Sequence, residues 1–242
     1  MRLVKDQNGI KYYKYDDVKY PFVKIVTDFF NIENLEDLHN IIPKDSINQI
    51  KNELFTNEND AHTLLHSLFY KKLNEGWPEL VDAYHRFIKD VMTDIMGTND
   101  LIYQSFPSFR IQFPDNIAVG GNPGDTKEEY GWHKDSDPGY NHPIVEKNFI
   151  IPLTRSRDTA SVYIETDPGT REYYPAIMNP GEIFNFRGST CRHGNKKNES
   201  GKCRVSFDFR VILPDDYDEN YVKNSKLSTK KFTVGEYYER TI

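Results

Sequence analysis

The sequence predicts a mainly β fold with a helical layer ahead of it, and three observations carry this. Apolar residues recur at helical spacing from about residue 34 to 96 and alternate after about residue 100. The alternating stretches are short and punctuated by Gly and Pro, the pattern of a sandwich or barrel, the double-stranded jelly roll among them. Strands do not interleave with helices, which disfavours a doubly wound α/β fold.

The elements follow in order. Residues 10–15 and 22–27 read as short strands. A weak helix over 43–55 carries Ile47, Ile50, Leu54 and Phe55 on one face. Residues 58–73 place Ala61, Leu64, Leu65, Leu68, Phe69 and Leu73 on one stripe. Residues 78–96 do the same with Leu80, Val81, Tyr84, Phe87, Ile88, Val91, Met92, Ile95 and Met96, and Gly97 stops that helix. Candidate strands are 102–106, 109–113, 131–135, 147–153, 160–165, 182–186 and 203–213. One domain is expected over 1–242. It comprises a helical support layer (1–100), a jelly-roll core (101–215) and a C-terminal extension (216–242).

Composition narrows the function. The 242 residues hold 31 Lys and Arg against 37 Asp and Glu, a net charge of −6. An acidic chain of mixed charge is a poor bulk binder of nucleic acid. No apolar run reaches the ~18 residues of a membrane span, and residues 1–17 lack the apolar stretch of a secretory signal. Two cysteines, Cys191 and Cys203, make no disulfide framework, so the expected compartment is the cytoplasm.

Chemistry gathers after residue 130. In Trp132-His133-Lys134-Asp135 the two potential ligands stand two apart, on one face of a strand. Sixty residues on comes Cys191-Arg192-His193-Gly194-Asn195. Two imidazoles and a carboxylate can form the facial triad of a non-haem iron site. His-x-Asp alone also describes a surface histidine beside acids. Eleven residues past His193 begins Arg204-Val205-Ser206-Phe207-Asp208-Phe209-Arg210-Val211. Val205, Phe207, Phe209 and Val211 cover one face; Arg204, Ser206, Asp208 and Arg210 line the other. Buried polar residues need partners. The second face is either an ion-pair ladder of Arg204, Asp208 and Arg210 or a carboxylate-binding strand.

These motifs together resemble the Fe(II)/2-oxoglutarate-dependent oxygenase superfamily. The stretch from His193 through Asn198-Glu199-Ser200-Gly201 to Arg204 is similar to its phytanoyl-CoA hydroxylase-like group. Trp132–Asp137, Asn148–Thr154 and His193–Arg210 are more similar still to StrG-like proteins, named after streptomycin biosynthesis. The resemblance implies a double-stranded β-helix (cupin-like) core in which His133, Asp135 and His193 bind Fe(II). It implies that Arg204, with Ser206, clamps 2-oxoglutarate, and that O2 is the oxidant. It further implies an oxidised, most simply hydroxylated, small-molecule product, with succinate and CO2. Halogenating relatives carry Gly or Ala at the carboxylate position; Asp135 therefore points to hydroxylation or another oxidation, not halogenation. Arg204 and Arg210 also form the Arg-x5-Arg pattern of AlkB-like demethylases. The shorter distance from His193 favours Arg204 as anchor, with Arg210 balancing Asp208.

Further candidates lie around this set. Asn148 is placed on a central strand, reaching 2-oxoglutarate or serving as a core hydrogen-bonder. Arg110 and Gln112 alternate on one strand as substrate contacts, Arg110 either binding a substrate carboxylate or phosphate or simply pairing with an acid, with Asp137 and Glu165 as weaker ones. His62 and His66 read as surface histidines, and His142 as a residue of the cup rim. Residues 116–130, rich in Gly and Pro, are a lid candidate or a plain loop. The expected partner is a small polar metabolite, with no nucleic acid and no membrane; the oligomeric state is left open. Competing functions are an AlkB-like demethylase, which requires a basic binding surface, and a cupin-like isomerase or binding module on the same fold.

Overall fold

A computed structural model describes residues 3–7, 9–42, 63–117, 131–224 and 229–242. The helix expected over 43–55, the start of that over 58–73, His62 and most of the lid candidate lie outside the described residues.

Two strands open the chain, β1 (Leu3–Gln7) and β2 (Ile10–Lys14), paired antiparallel. The segment expected as a strand over 22–27 is instead a helix, α1 (Phe22–Phe30). Its aromatic and β-branched content favours strand, yet Phe22, Val26 and Phe30 are buried at a spacing of four, so the tertiary stripe wins over propensity. Asn31, left-handed at φ 51°, closes α1, its N–H bonding the Asp28 and Thr27 carbonyls. A 3-10 helix, Leu35–Ile41, follows, started by the Asn34 side chain accepting from the Glu36 N–H.

Helix α2 (Leu64–Glu75) begins at Thr63, whose hydroxyl accepts from the His66 N–H. Its buried face is Leu65, His66 and Phe69, while Leu64 and Leu68 are exposed, so the face is rotated from the expected stripe. His66 is therefore a core residue, not a surface one. Helix α3 (Pro78–Phe87) runs through a π turn (Ile88–Met92) into α4 (Thr93–Met96), and Gly97, at φ 73°, ends it as expected.

Among the described residues nine further strands join these two to make two sheets. They are β3 (Ile102–Gln104), β4 (Ser108–Gln112), β5 (Lys147–Pro152), β6 (Val162–Glu165), β7 (Tyr173–Ala176), β8 (Glu182–Phe186), β9 (His193–Asn195), β10 (Arg204–Ile212) and β11 (Tyr238–Arg240). The larger sheet runs β1-β2-β8-β5-β10-β3-β11, with β4 also on β10; the smaller runs β7-β6-β9. The sheet thus draws on all three expected portions of the chain, through β2 on β8 and β11 on β3.

The long strand β10 sorts the molecule into two sides. Phe207 lies across from Phe109 of β4 and Ile151 of β5, and this row packs under the helices with Phe69 and Phe87. Phe69 stacks on Phe109 at 4.2 Å. Truncating such a ring to Ala typically costs about 3–5 kcal/mol. The opposite row aligns Arg204 with Gln112, Ser206 with Arg110, and Arg210 with Asn148. It faces the smaller sheet. Between the sheets, Ile150, Phe184 and Phe186 pack against Val162, Ile164 and Ala176. No helix of the described residues is long and apolar enough to cross a membrane.

Candidate metal centre

The space left between the sheets is a cup lined by His133, Asp135, Asn148, His193, Arg204 and Arg210 among others. His133 and His193 meet there through the backbone. Each donates its N–H to the other's carbonyl, at 3.0 and 2.9 Å, in one antiparallel bridge. Directly opposed residues carry their side chains on the same face, so the imidazoles stand side by side, ring centres 4.7 Å apart. The strand expected over 131–135 is reduced to that bridge. Asp135 lies in the turn that follows, tied by its N–H to the Gly188 carbonyl at 3.0 Å.

Asp135 divides its two oxygens. Oδ1 lies 3.4 Å from His133 Nε2 and 3.5 Å from His193 Nε2. Oδ2 accepts from Asn148 Nδ2 at 2.6 Å and from Arg210 Nη2 at 2.8 Å and Nε at 3.3 Å. The other imidazole nitrogens are taken: His133 Nδ1 bonds the Gly131 carbonyl at 2.7 Å and His193 Nδ1 the Cys191 carbonyl at 3.3 Å. A carbonyl accepts only, so each Nδ1 carries the proton and each Nε2 a free lone pair. Three donors of this kind, within 4.8 Å of one another, suit a divalent transition-metal ion.

Electrostatics keep the donors in their binding forms. Burial, then the neighbouring His133, pushes the His193 imidazolium down to about 4, so the ring is neutral at pH 7. Burial acts against the charge on Asp135, but the neighbouring Arg210 guanidinium outweighs it and holds the carboxyl well below the usual range.

Two glycines are required by space. A Cβ on Gly194 would lie 2.4 Å from Trp132 Cδ1; the indole is fixed by its Nε1–H donating to the Asn195 carbonyl at 3.2 Å. A Cβ on Gly188 would lie 2.7 Å from Asn148 Cγ, the side chain that grips Asp135.

Arg204 sits deeper on β10. Its Nε donates to Gln112 Oε1 at 3.2 Å and its Nη1 to Ser206 Oγ at 3.3 Å. No carboxylate of the described residues lies within ion-pair distance of this buried guanidinium, and burial pushes it down to about 10. Arg110, in the cup wall, pairs with Asp208 at 3.1 Å. The ladder expected along β10 is thus rewired: Asp208 takes Arg110 from β4, and Arg210 takes Asp135 instead of Asp208.

The remaining candidates are placed as follows. Asn148 holds Asp135. Gln112 is fully buried; it accepts from Arg204 and donates to the Lys196 carbonyl at 2.8 Å. Glu165 spends its carboxylate on the N–H groups of Arg171 and Arg192, each at 2.9 Å, and does not line the cup. Asp137 accepts from the Lys134 N–H at 2.9 Å and likewise lies outside the lining. His142 is not at the rim. It is half-buried against Phe232, ring centres 4.4 Å apart, with Nδ1 2.8 Å from Glu146 Oε2. Sequence reasoning missed Glu146 and the ligand contact of Arg210; the inward phase of Arg210 on β10 was the available signal.

A two-sheet β fold whose cup brings two imidazoles and one carboxylate together defines a β protein with a candidate metal centre. The chain is a homologue of the streptomycin biosynthesis protein StrG of Streptomyces griseus, 29% identical over 227 residues, spanning 93% of this chain and 96% of that one. No family model matches the chain. Among solved structures, similarity extends to a non-heme monooxygenase, the ThoJ–Ni complex, at 14% identity over 71% of this chain and 68% of that one, TM-score 0.42. It extends also to CytC3 with Fe(II) and alpha-ketoglutarate, at 15% identity over 75% and 74%, TM-score 0.37.

Proposed function

We propose that the protein is a non-haem Fe(II)- and 2-oxoglutarate-dependent dioxygenase with a double-stranded β-helix core. It hydroxylates a C–H bond of a small polar metabolite and releases succinate and CO2. The observation that carries this reading is the division of labour at Asp135: one oxygen faces both free Nε2 atoms, the other is consumed by Asn148 and Arg210.

His133, Asp135 and His193 would hold the metal from one side, leaving other positions open. Bound Fe(II) supplies the redox chemistry that couples loss of CO2 from 2-oxoglutarate to oxidation of the substrate. Arg204 anchors the far carboxylate of 2-oxoglutarate, with Ser206 beside it. A buried guanidinium lacking a carboxylate partner among the described residues suits an incoming anion, and its fork matches carboxylate geometry. Arg210 is already committed to Asp135, so the choice between the two arginines falls on Arg204. Because Asp135 fills the third ligand position, the outcome is hydroxylation rather than halogenation.

Substrate polarity follows from the wall. Arg110 and Asp208 give that side of the cup a charged pair, while Ile150, Val162 and Phe186 close the other. The StrG likeness fits a biosynthetic intermediate as substrate. Buried free thiols at Cys191 and Cys203 are compatible with the cytoplasm. The test is succinate formation dependent on both Fe(II) and 2-oxoglutarate. His193→Ala is expected to abolish it, and turnover surviving in that variant would refute the ligand assignment.

A further inference from the structure

Behind the metal centre a buried polar chain runs to the C-terminal strand. Arg210, which grips Asp135 Oδ2, also reaches Glu146 Oε2 at 4.0 Å and Gln104 Oε1 at 3.4 Å. Glu146 is buried and is held by two further groups: His142 Nδ1 on Oε2, and the Tyr238 hydroxyl, which donates to Oε1. Tyr238 is wholly buried on β11, directly across from Gln104 of β3. Thus β11 touches Arg210 by two routes, through Glu146 and through the β3 strand it pairs with.

We infer that Tyr238 and Glu146 are positioning residues of the metal centre: they fix the Arg210 guanidinium, which in turn holds Asp135 with a single oxygen toward His133 and His193. The inference rests on the metal-centre reading and assigns a role to the C-terminal strand. An arginine side chain is long and has many rotamers, and both of its bonds to Asp135 end on the one oxygen Oδ2, which leaves the guanidinium able to pivot. Glu146 supplies a second carboxylate, and Tyr238 and His142 in turn fix Glu146. Ligating carboxylates are commonly oriented by hydrogen bonds from outside the ligand set, and loss of such a partner weakens metal binding. The alternative is that Tyr238 merely fastens the C-terminal strand, in which case its hydroxyl has no bearing on metal affinity.

The test is titration of the chelator-treated full chain with Co(II), reading the dissociation constant and the visible d–d bands. Tyr238→Phe changes no charge, so an altered affinity reports position. Its expected effect is a rise in Kd of about threefold with a shift of the bands; Glu146→Gln should raise Kd about tenfold. Because Tyr238 acts through Glu146, the double variant should stay close to Glu146→Gln alone. Tyr20→Phe, which removes a hydroxyl bonded to Asp90, should match the wild type. A folded Tyr238→Phe with wild-type Kd and spectrum overturns the inference and leaves the metal centre standing. A wild type that takes up Co(II) no better than His193→Ala overturns both. Should Tyr238→Phe fail to fold, Glu146→Gln decides: an unchanged Kd and spectrum refute the inference.

Discussion

Replacing Arg204 with Met is expected to make the protein more stable while removing its response to 2-oxoglutarate. Arg204 is 3% exposed and has no carboxylate of the described residues within ion-pair distance. Burial lowers the guanidinium to about 10, which at about 1.36 kcal/mol per pH unit corresponds to a penalty of about 3 kcal/mol for keeping it charged. The folded chain binds this proton less tightly than the unfolded chain, so the penalty is in full force at pH 7 and fades only as pH rises past about 10. Methionine preserves most of the volume and removes the charge, but it leaves Gln112 Oε1 without its donor, a loss of about 1–2 kcal/mol. The balance is a gain of about 1–2 kcal/mol, or a Tm higher by about 2–8 °C for a chain of this size. Calorimetry of metal-loaded protein with and without 2-oxoglutarate reads both effects. The wild type should gain Tm on adding 2-oxoglutarate, and Arg204→Met should start higher and gain nothing. A variant less stable than wild type, or one still stabilised by 2-oxoglutarate, would refute the reasoning.

Other perturbations probe the same centre. Gly194→Ala drives a methyl into the Trp132 ring and should destabilise by about 1–3 kcal/mol in urea unfolding, weakening metal uptake because His193 is the preceding residue. Gly188→Ala displaces Asn148 from Asp135, and the Co(II) Kd should rise about tenfold. Asp135→Ala leaves the buried Arg210 with only the more distant Glu146, at 4.0 Å, and should lower unfolding free energy by about 1–3 kcal/mol, more than a surface Asp→Ala change. For the chelator-treated protein, His193 titrates near 4 when folded but at the ordinary imidazole value when unfolded. Stability should therefore fall as pH drops from about 6.5 to 4, by about 3 kcal/mol, and His193→Gln should flatten that slope in pH-dependent denaturation.

What was legible in the sequence was periodic or local. The strict alternation of β10 told which of its residues face the helices and which face the cup, because a strand repeats every two residues and this one is buried on both sides. Helix α3 and its stop at Gly97 were legible for the same kind of reason. The segment Phe22–Phe30 was not, since its composition favours strand and only the spacing of Phe22, Val26 and Phe30 reveals the helix. At the site, His133, Asp135 and His193 were visible through ligand chemistry and spacing. The partners of Arg210 were not, because Asp135 and Glu146 come from segments 75 and 64 residues away and nothing local encodes that meeting. Strand β11 has only three residues, too few to show a period.

The decisive experiment on the metal centre gives anaerobic Fe(II)-loaded protein 2-oxoglutarate, then O2, with pooled cell metabolites read by mass. A metal-to-cosubstrate absorption band is expected before O2. On O2 addition, succinate should form together with a metabolite heavier by one oxygen atom. Neither the band nor the products should arise in His193→Ala. Fe(II)-loaded wild type that shows no band and forms no succinate would show that the protein is not a 2-oxoglutarate-dependent oxygenase.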